Sequence, residues 1–389
     1  MSRAMEHLRE LSVEIGSRGP TSENEKKAGN YIERTMKSIG MSVEAEEFKS
    51  KTSGFAIFAI DIILFIIAAI IFPTSAIVAF LVSLAAVAIL IAEMNMKEVL
   101  SKIMPKKQSR NIIGKIAPTN KAEKRVVLMG HYDSAKPLPL FHPVVVRYVD
   151  PLLIAVFLST VFTTVFYGLG SIVEFFASAS IYSIYFWYAS FPFVGYLSII
   201  FAIIAYGELF TKPTNGANDN ASGISVILEV AEILSKERLK NTEIWCAAMG
   251  CEEAGTVGTM RYLDKHAEEL QGSFMFSVDC VGIGNLRYAV KEGIMKTISV
   301  PDELVNLVTE TADRNPELQA KSLVLKYKAS DSFPALSRGL KAMFIGAVDK
   351  KNLPPNWHWK TDVYENIEEN TVEKAKEFVI EILRTIDAK

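Results

Sequence analysis

The sequence predicts an α/β protein: a three-layer mixed sheet with helices on both faces, plus an inserted transmembrane helical region. Three observations carry that expectation. After Thr214, helix-like and strand-like segments alternate, the pattern of a sheet covered by crossover helices. Two apolar blocks, 54–94 and 149–210, stand out from otherwise ordinary soluble sequence and concentrate its 50% hydrophobic content. Polar residues gather where the apolar strand-like runs stop, the edge at which such sheets place functional groups.

The elements follow in order. "MEHLRELSVEIG" sets Leu8, Leu11, Val13 and Ile15 in a helical pattern. Ser22, with Glu25 three positions on, reads as a capping box opening a second helix. That helix keeps Ala28, Tyr31, Ile32, Met36 and Ile39 on one face and stops at Gly40. "MSVEAEEF" alternates as a strand does. "NIIGKIA" and "KRVVLMG" are strand-like, and the second ends on His131 and Asp133. Farther on, "SGISVILEVAEILSKE", "GTMRYLDKHAEEL", "PDELVNLVTETADRN" and "TVEKAKEFVIEILRTI" read as helices. "NTEIWCAAMG", "FMFSVDCVGIG" and "KAMFIGAV" read as the strands between them.

The apolar blocks call for a different solvent. In the first, two runs flank Pro73-Thr74-Ser75, each about as long as the roughly 20 residues that span hydrocarbon. As soluble helices they would be apolar on every side, which a modest domain seldom buries. The second block is expected to cross twice, through "PLLIAVFLSTVFTTVFYGLGSIV" and "FPFVGYLSIIFAIIAYGELF". The aromatic-rich "EFFASASIYSIYFWYA" between them would lie at the far interface, where Trp and Tyr are favoured. Asp61 falls inside the first span, where a single carboxylate is expected to lie near the interface or bond to a neighbouring helix.

Composition excludes some classes. A net charge of -2 with no basic stripe gives no reason to expect a nucleic-acid partner. Three cysteines, Cys246, Cys251 and Cys280, are too few for a disulfide framework, which points to a reducing compartment. The charged amphipathic N-terminus has no apolar core of a cleaved signal peptide.

The polar residues at strand ends and in connecting loops are His131, Asp133, Asp219 in "NGANDNASG", Glu252-Glu253, Asp279, and His358 in "NLPPNWHWKTD". Singly, each has an ordinary explanation as a cap, a turn or a solvated charge. Together they form an imidazole and carboxylate donor set without thiolates, which suits zinc, cobalt or manganese at a hydrolytic site.

The order His-x-Asp, "GANDNASG", Glu-Glu, an aspartate before a glycine, and a late histidine resembles the co-catalytic zinc exopeptidases, metallopeptidase family twenty-eight. That family includes bacterial leucyl aminopeptidases, with glutamate carboxypeptidases and glutaminyl cyclases as relatives. The resemblance covers roughly Met5–Phe48, Asn111–Ala135 and Thr214 onward, and leaves the apolar blocks outside. It implies a zinc exopeptidase-like sheet, two Zn2+ (with Co2+ or Mn2+ as substitutes) and a peptide substrate. His131 and Asp279 would hold one zinc, Glu253 and His358 the other, and Asp219 would bridge them. Asp133 would orient the His131 ring. Glu252 would be the general base, and Tyr327, four positions before Asp331, would donate a hydrogen bond to the developing oxyanion. The bridging aspartate often precedes a cis peptide in the family. Ser332 stands where many members have histidine, which unsettles the local contacts of that loop without removing a ligand.

These implied ligands constrain topology. His131 precedes the second block while the others follow it, so a shared metal pair requires an even number of crossings. Four spans are therefore expected: a hairpin over 54–94 and a second over 149–210, inserted in a discontinuous peptidase domain of residues 1–50, 97–148 and 211–389. Lys49, Lys51, Lys97, Lys102, Lys106, Lys107, Arg110, Lys136, Arg147 and Lys212 flank the spans on the catalytic side, and the opposite loops carry no basic residue. The positive-inside rule then places the catalytic domain and both termini in the cytoplasm. The bilayer is one expected partner, and the membrane helices could also pair two copies into a homo-oligomer. The most direct expectation is an aminopeptidase. A zinc carboxypeptidase, amidase or glutaminyl cyclase on the same fold is the alternative chemistry. A membrane scaffold on a degenerate peptidase fold is the alternative without chemistry.

Overall fold

A computed structural model describes residues 2–177, 180–294 and 296–389. The chain divides into two compact units, Met1–Thr52 with Lys106–Pro137 and Lys212–Lys389, and Ser53–Pro105 with Leu138–Thr211.

The first unit is a nine-stranded mixed sheet with helices. Its strands are β1 Ser42–Ser50, β2 Lys107–Ile116, β3 Lys124–His131, β4 Thr242–Met249, β5 Phe274–Val278, β6 Asn285–Gly293, β7 Ile298–Ser299, β8 Lys321–Lys326 and β9 Lys341–Val348. They lie in the order β1-β2-β4-β3-β5-β9-β6-β7, with β8 paired to β6. The centre, β4-β3-β5-β9, is parallel throughout. Such strands are buried on both faces and read as continuous apolar runs; residues 126–131 of β3 and all of β5 are buried.

Helices supply the cover. α1 Arg3–Arg9 widens into a π turn over Glu10–Ile15, and α2 spans Glu23–Ser38. The second unit holds α3 Phe55–Ile71, α4 Ala76–Met94, α5 Val149–Ala177 and α6 Ser180–Phe210. The first resumes with α7 Ser222–Lys236, α8 Val257–His266, α9 Asp302–Arg314, α10 Ser332–Ser337 and α11 Glu369–Ala388. α7 packs on α1 and α11, α11 also on α9, and α8 packs on α10. Ser22 caps α2 as its spacing suggests, its Oγ accepting from Glu25 N at 3.1 Å.

The structure departs from the sequence reading in places. The strand expected over 274–284 stops at Val278, because the Asp279 amide is still paired with Ile345 O but Cys280 turns to φ 55. Residues 279–284 form a loop instead. Strands β6, β7 and β8 and the short α10 were not expected. β8 "KSLVLK" is a short edge-like alternation with little apolar signal, and the two-residue β7 has none. The aromatic segment between the expected second pair of spans is helical on both sides: 174–177 complete α5 and 180–189 open α6. Residues 178 and 179 of that segment lie outside the described residues.

Among the described residues of the second unit three helices are long and apolar enough to cross a membrane, Ala76–Met94, Val146–Phe176 and Tyr182–Phe210; the 17-residue Phe55–Ile71 is a shorter apolar helix. Their mutual contacts are aromatic and aliphatic, with Phe65, Ala68, Phe72, Ala79, Tyr167 and Leu197 buried. Outward lie Ile70, Phe175, Phe176 and Leu209, each more than 70% exposed. Several polar groups find partners inside the unit. Trp187 Nε1 donates to Ala69 O at 2.8 Å, Tyr196 Oη to Leu152 O at 3.0 Å, and Glu174 accepts the Ala76 amide at the start of α4. Asp61 is buried among these helices, with no hydrogen-bond donor to its Oδ1 among the described residues.

One glycine fixes how α7 meets the sheet. A Cβ on Gly223 would stand 2.1 Å from Val278 O and 2.4 Å from Asn220 Oδ1. Neither atom is the far end of a flexible chain. Gly223→Ala should therefore push α7 off β5 and destabilise the fold by about 1–3 kcal/mol or more; chemical denaturation in detergent measures this, and an unchanged midpoint would contradict the close approach.

Candidate metal centre

The parallel centre of the sheet builds the site. β3 ends on His131, Glu252 and Glu253 follow β4, Asp279 follows β5, and the chain leaving β9 returns with His358. Asp219 arrives on the turn before α7. Four adjacent strands pointing the same way thus bring their C-terminal ends, and the residues after them, to one edge.

The side chains converge. His131 Nε2 lies 3.1 Å from Asp219 Oδ1, 3.7 Å from Asp279 Oδ1 and 4.0 Å from Glu252 Oε2. His358 Nε2 lies 3.2 Å from Asp219 Oδ2 and 3.2 Å from Glu253 Oε1. One carboxylate therefore faces two imidazoles with its two oxygens. All seven residues singled out at strand ends and loops meet here. Tyr327 is placed differently: half-buried, in the left-handed region at φ 57, its amide donates to Gly293 O at 2.9 Å. No hydrogen bond among the described residues joins its hydroxyl to the cluster.

Asp133 has a larger part than orienting a ring. Its Oδ1 and Oδ2 accept the amides of Glu252 and Glu253, each at 3.0 Å. His131 Nδ1 lies nearer the Asp133 carbonyl, at 3.2 Å, than its carboxylate, at 3.5 Å. Asp133 thus holds the imidazole through its backbone and the Glu-Glu turn through its side chain.

The segment Asn218–Ser222 is a hub. The Asp219–Asn220 bond is cis. Asp362 accepts the Asn218 and Asp219 amides at 2.6 and 3.1 Å. Asn220 Nδ2 donates to Val278 O, and Asn218 Oδ1 accepts from Gly282 N. These bonds tie the Asp219 turn to the Asp279 loop and to the loop after His358. Arg18, fully buried, donates to the carbonyls of Leu11, Gly16, Tyr132, Asn215 and Gly216, fastening the N-terminal segment to the turns bearing His131 and Asp219.

Sequence reasoning missed several groups here: Arg18, Glu25, Asp331 and Asp362. A buried charge is not legible singly, although "SDS" and "KTD" lie in segments already marked. The loop with Ser332 in place of histidine is secured by Glu292, which is fully buried and accepts from Ser330 N at 2.6 Å and from Ser332 Oγ. Asp331 in turn accepts from Thr259 Oγ1, and its Oδ2 has no donor among the described residues. Cys280 Sγ also lies near: it and carboxylate oxygens of Asp219 and Asp279 fall within 4.8 Å of one another.

The electrostatics suit a cation. Burial disfavours charge on His131 and His358, but surrounding carboxylates outweigh it and hold both well above the ordinary imidazole range. Burial also opposes the charge of Asp219, and its two imidazole partners overcome that and hold it below the carboxylate range. Glu252 and Glu253 are pushed up, chiefly by burial. Asp279 Oδ1 is a buried acceptor with no hydrogen-bond donor among the described residues, Glu253 Oε1 faces the His358 ring nitrogen, and His131, Asp219 and Glu253 offer ligand atoms within 4.8 Å of one another. Two imidazoles and three carboxylates, with an orphaned oxygen among them, fit zinc.

Comparisons with known proteins bear on the family and the fold. Residues 203–383 match the sequence model of "Peptidase family M28". Those residues, a little under half of the chain, are similar to that family. The M28 match contains Asp219, Glu252, Glu253, Asp279, Tyr327 and His358; His131 and Asp133 precede it and join through the fold. Aminopeptidase YwaD of Bacillus subtilis (strain 168) is 31% identical over 185 residues, 46% of this chain and 39% of that protein. The chain thus matches well under half the length of that curated relative. The solved zinc aminopeptidase BSAP from Bacillus subtilis superposes with a TM-score of 0.57 at 16% identity, covering 98% of this chain and 93% of that one. A Zn-dependent exopeptidase from Parabacteroides distasonis gives 0.58 at 17%, covering 98% and 96%. Porphyromonas gingivalis glutaminyl cyclase gives 0.59 at 16%, with the same coverages. The fold is shared with these solved exopeptidases and with the cyclase.

A pH dependence follows for protein stripped of metal by chelation. Burial pushes Glu25 up to about 8, and Asp331 and Asp362 each up to about 7. Each keeps its proton when folded at a pH where the unfolded chain has lost it, so stability falls as pH rises from about 4 through those values. His131 and His358 have raised folded values too, and their contribution, complete below about 6.5, is likewise lost on the way up. Asp219, with a lowered value, loses its contribution only in acid. Thermal unfolding of the stripped protein should thus show Tm falling between about pH 5 and 8. Zinc should restore more at the higher pH, because its ligands bind deprotonated. A stripped protein that gains stability with pH would contradict these environments.

Proposed function

We propose that the chain is a membrane-anchored dinuclear zinc aminopeptidase acting on short peptides. One observation supports this above the rest: Asp219 presents separate oxygens to His131 and His358, at 3.1 and 3.2 Å. In this reading His131 and Asp279 hold one zinc, Glu253 and His358 the other, and Asp219 both, with Co2+ or Mn2+ able to substitute. The peptidase domain is residues 1–50, 97–148 and 211–389.

Bound zinc supplies Lewis acidity to a peptide carbonyl and acidity to water. Glu252 does the proton work. Its amide is fixed on Asp133 and its carboxylate lies 4.0 Å from His131 Nε2. Placed there, the carboxylate can take a proton from the attacking water and pass it to the leaving amine. Tyr327 donates to the developing oxyanion from the loop after β8. Glutaminyl cyclases share the architecture, which makes cyclisation the second chemistry. The five donors and the base support hydrolysis, and a panel of aminoacyl, N-blocked and N-terminal glutaminyl peptides separates the two.

Two tests follow. Mass spectrometry should find about two zincs per chain in wild type and in Glu252→Gln, while kcat in that variant drops by about 100- to 10,000-fold. Tyr327→Phe should lose about 100- to 1,000-fold. Turnover preserved in Glu252→Gln would remove the assigned base, and zinc-free wild type would favour a binding or scaffolding protein.

The membrane arrangement is part of the same reading. Hairpins over 54–94 and 149–210 cross the bilayer four times, their helices also offering a surface for self-association. The flanking lysines and arginines keep the peptidase domain and both termini in the cytoplasm. On intact cells, a membrane-impermeant thiol reagent should label Thr74→Cys and spare Lys389→Cys. The reverse pattern would invert the topology. Cross-linking in native membranes tests self-association; only single chains would argue against it.

A further inference from the structure

We propose that Glu25 is a positioning residue for the general base, tying the N-terminal helix α2 to the turn that carries Glu252 and Glu253. The inference rests on the peptidase reading of that turn.

Glu25 begins as a capping residue. Its amide donates to Ser22 Oγ, and its own Oε2 turns back to accept the Thr21 amide at 2.7 Å. A cap needs no more, and caps are ordinarily wet. Glu25 instead is 2% exposed. Its second oxygen, Oε1, leaves the helix and accepts the Cys251 amide at 3.0 Å, Cys251 Sγ at 3.2 Å and Ser109 Oγ at 3.1 Å. No lysine or arginine pairs with it among the described residues, so its partners are amides, a hydroxyl and a thiol. A carboxyl group buried on those terms is costly, and what it holds is specific.

It holds the residue before the base. Cys251 is left-handed at φ 56, and its amide goes to Glu25. The next two amides, of Glu252 and Glu253, go to Asp133. Three successive N–H groups are therefore shared between two carboxylates from distant segments, Asp133 after β3 and Glu25 on α2. Against the same turn, a Cβ on Gly250 would stand 2.7 Å from Arg110 O and 2.7 Å from Ser109 Oγ, so the peptide has no room to slide. With one clamp removed, the Glu252 carboxylate loses a fixed position relative to His131. An error of about 1 Å in such placement can cost about 100-fold in rate. α2 lies outside the residues 203–383 that match the family model, so this contact belongs to the geometry of the whole chain.

Glu25→Gln keeps the shape but only one acceptor oxygen, so it cannot serve both Thr21 and Cys251. Ser22→Ala is the control: it weakens the same helix start without touching the turn. Both are made in the full zinc-loaded chain in detergent. Amide hydrogen exchange at 251–253 should quicken about tenfold or more in Glu25→Gln and stay at the wild-type rate in Ser22→Ala. kcat should fall about 10- to 100-fold in Glu25→Gln alone, with KM within about twofold and zinc content unchanged. Should Glu25→Gln not fold, Glu25→Asp, one methylene too short to reach both amides, carries the same expectations. Equal behaviour of the Glu25 and Ser22 variants, or a kcat loss that only tracks lost zinc, overturns the assignment. Wild type without hydrolysis sinks the peptidase reading instead, and the exchange rates then decide Glu25 alone.

Discussion

Five carboxylates cannot be held together out of water unless something offsets their repulsion, and this structure is organised around that constraint. Two like charges 4 Å apart repel by about 4 kcal/mol at an effective dielectric near 20, and Asp133, Asp219, Glu252, Glu253 and Asp279 crowd more closely than five free charges would. Different charges are offset by different means. Asp133 is satisfied by backbone amides, Asp219 by two imidazoles, and Asp362 by the amides of Asn218 and Asp219. Glu253 faces the His358 imidazole, and Asp279 keeps an oxygen without a donor among the described residues. The hydrogen bonds fix positions, and the residual negative charge selects for a cation.

Holding those charges in place is the work of the parallel strands. β4, β3, β5 and β9 run side by side in one direction, so the residues just beyond them reach one edge without long loops. The Asp219 turn has no strand beneath it and is secured sideways instead, by Asn218 and Asn220 to the loop after β5 and by Asp362 to the segment after His358. Gly223 permits this by letting α7 approach Val278 closely. The precision of the site is therefore shared between a stiff sheet and a small set of amide side chains.

What the sequence made legible follows from how each feature encodes itself. Buried strands such as "VVLM" and "IWCAAM" announce themselves by apolar content, and the site residues by standing at their ends. Strands beyond β9 do not: β6 mixes Arg287, Lys291 and Glu292 with its apolar residues, and β8 offers only three aliphatics. The end of β5 was misjudged because "CVGIG" is apolar, yet Cys280 takes a left-handed turn that composition does not mark. Buried charges were least visible. Arg18, Glu25, Glu292 and Asp362 look like surface residues until the donors around them are known. The capping box shows the difference well: Ser22 and Glu25 were readable as a helix start, but only tertiary structure reveals that the same carboxylate reaches Cys251.

The apolar insertions raise the question of how a sheet tolerates interruptions of this length. In the first, the chain leaves after β1 and returns into β2, and the last rung of that ladder pairs Ser50 with Lys107. In the second it leaves beyond Ser134 and Ala135 and returns at Thr214. There the Thr214 amide donates to Ala135 O at 2.8 Å and Ser134 Oγ donates to Thr214 O at 2.8 Å. Both excursions thus start and finish on residues already hydrogen-bonded to each other within the sheet unit. The closure entropy of a long loop grows only logarithmically, by about 0.6 kcal/mol per doubling, and the rungs at each base fix the ends whatever lies between. An insertion whose two ends are neighbours must come back to where it began, so each excursion, if it enters a bilayer, is obliged to cross it an even number of times. The same closure lets His131 and Asp219, separated in sequence by the whole second block, face one another at 3.1 Å.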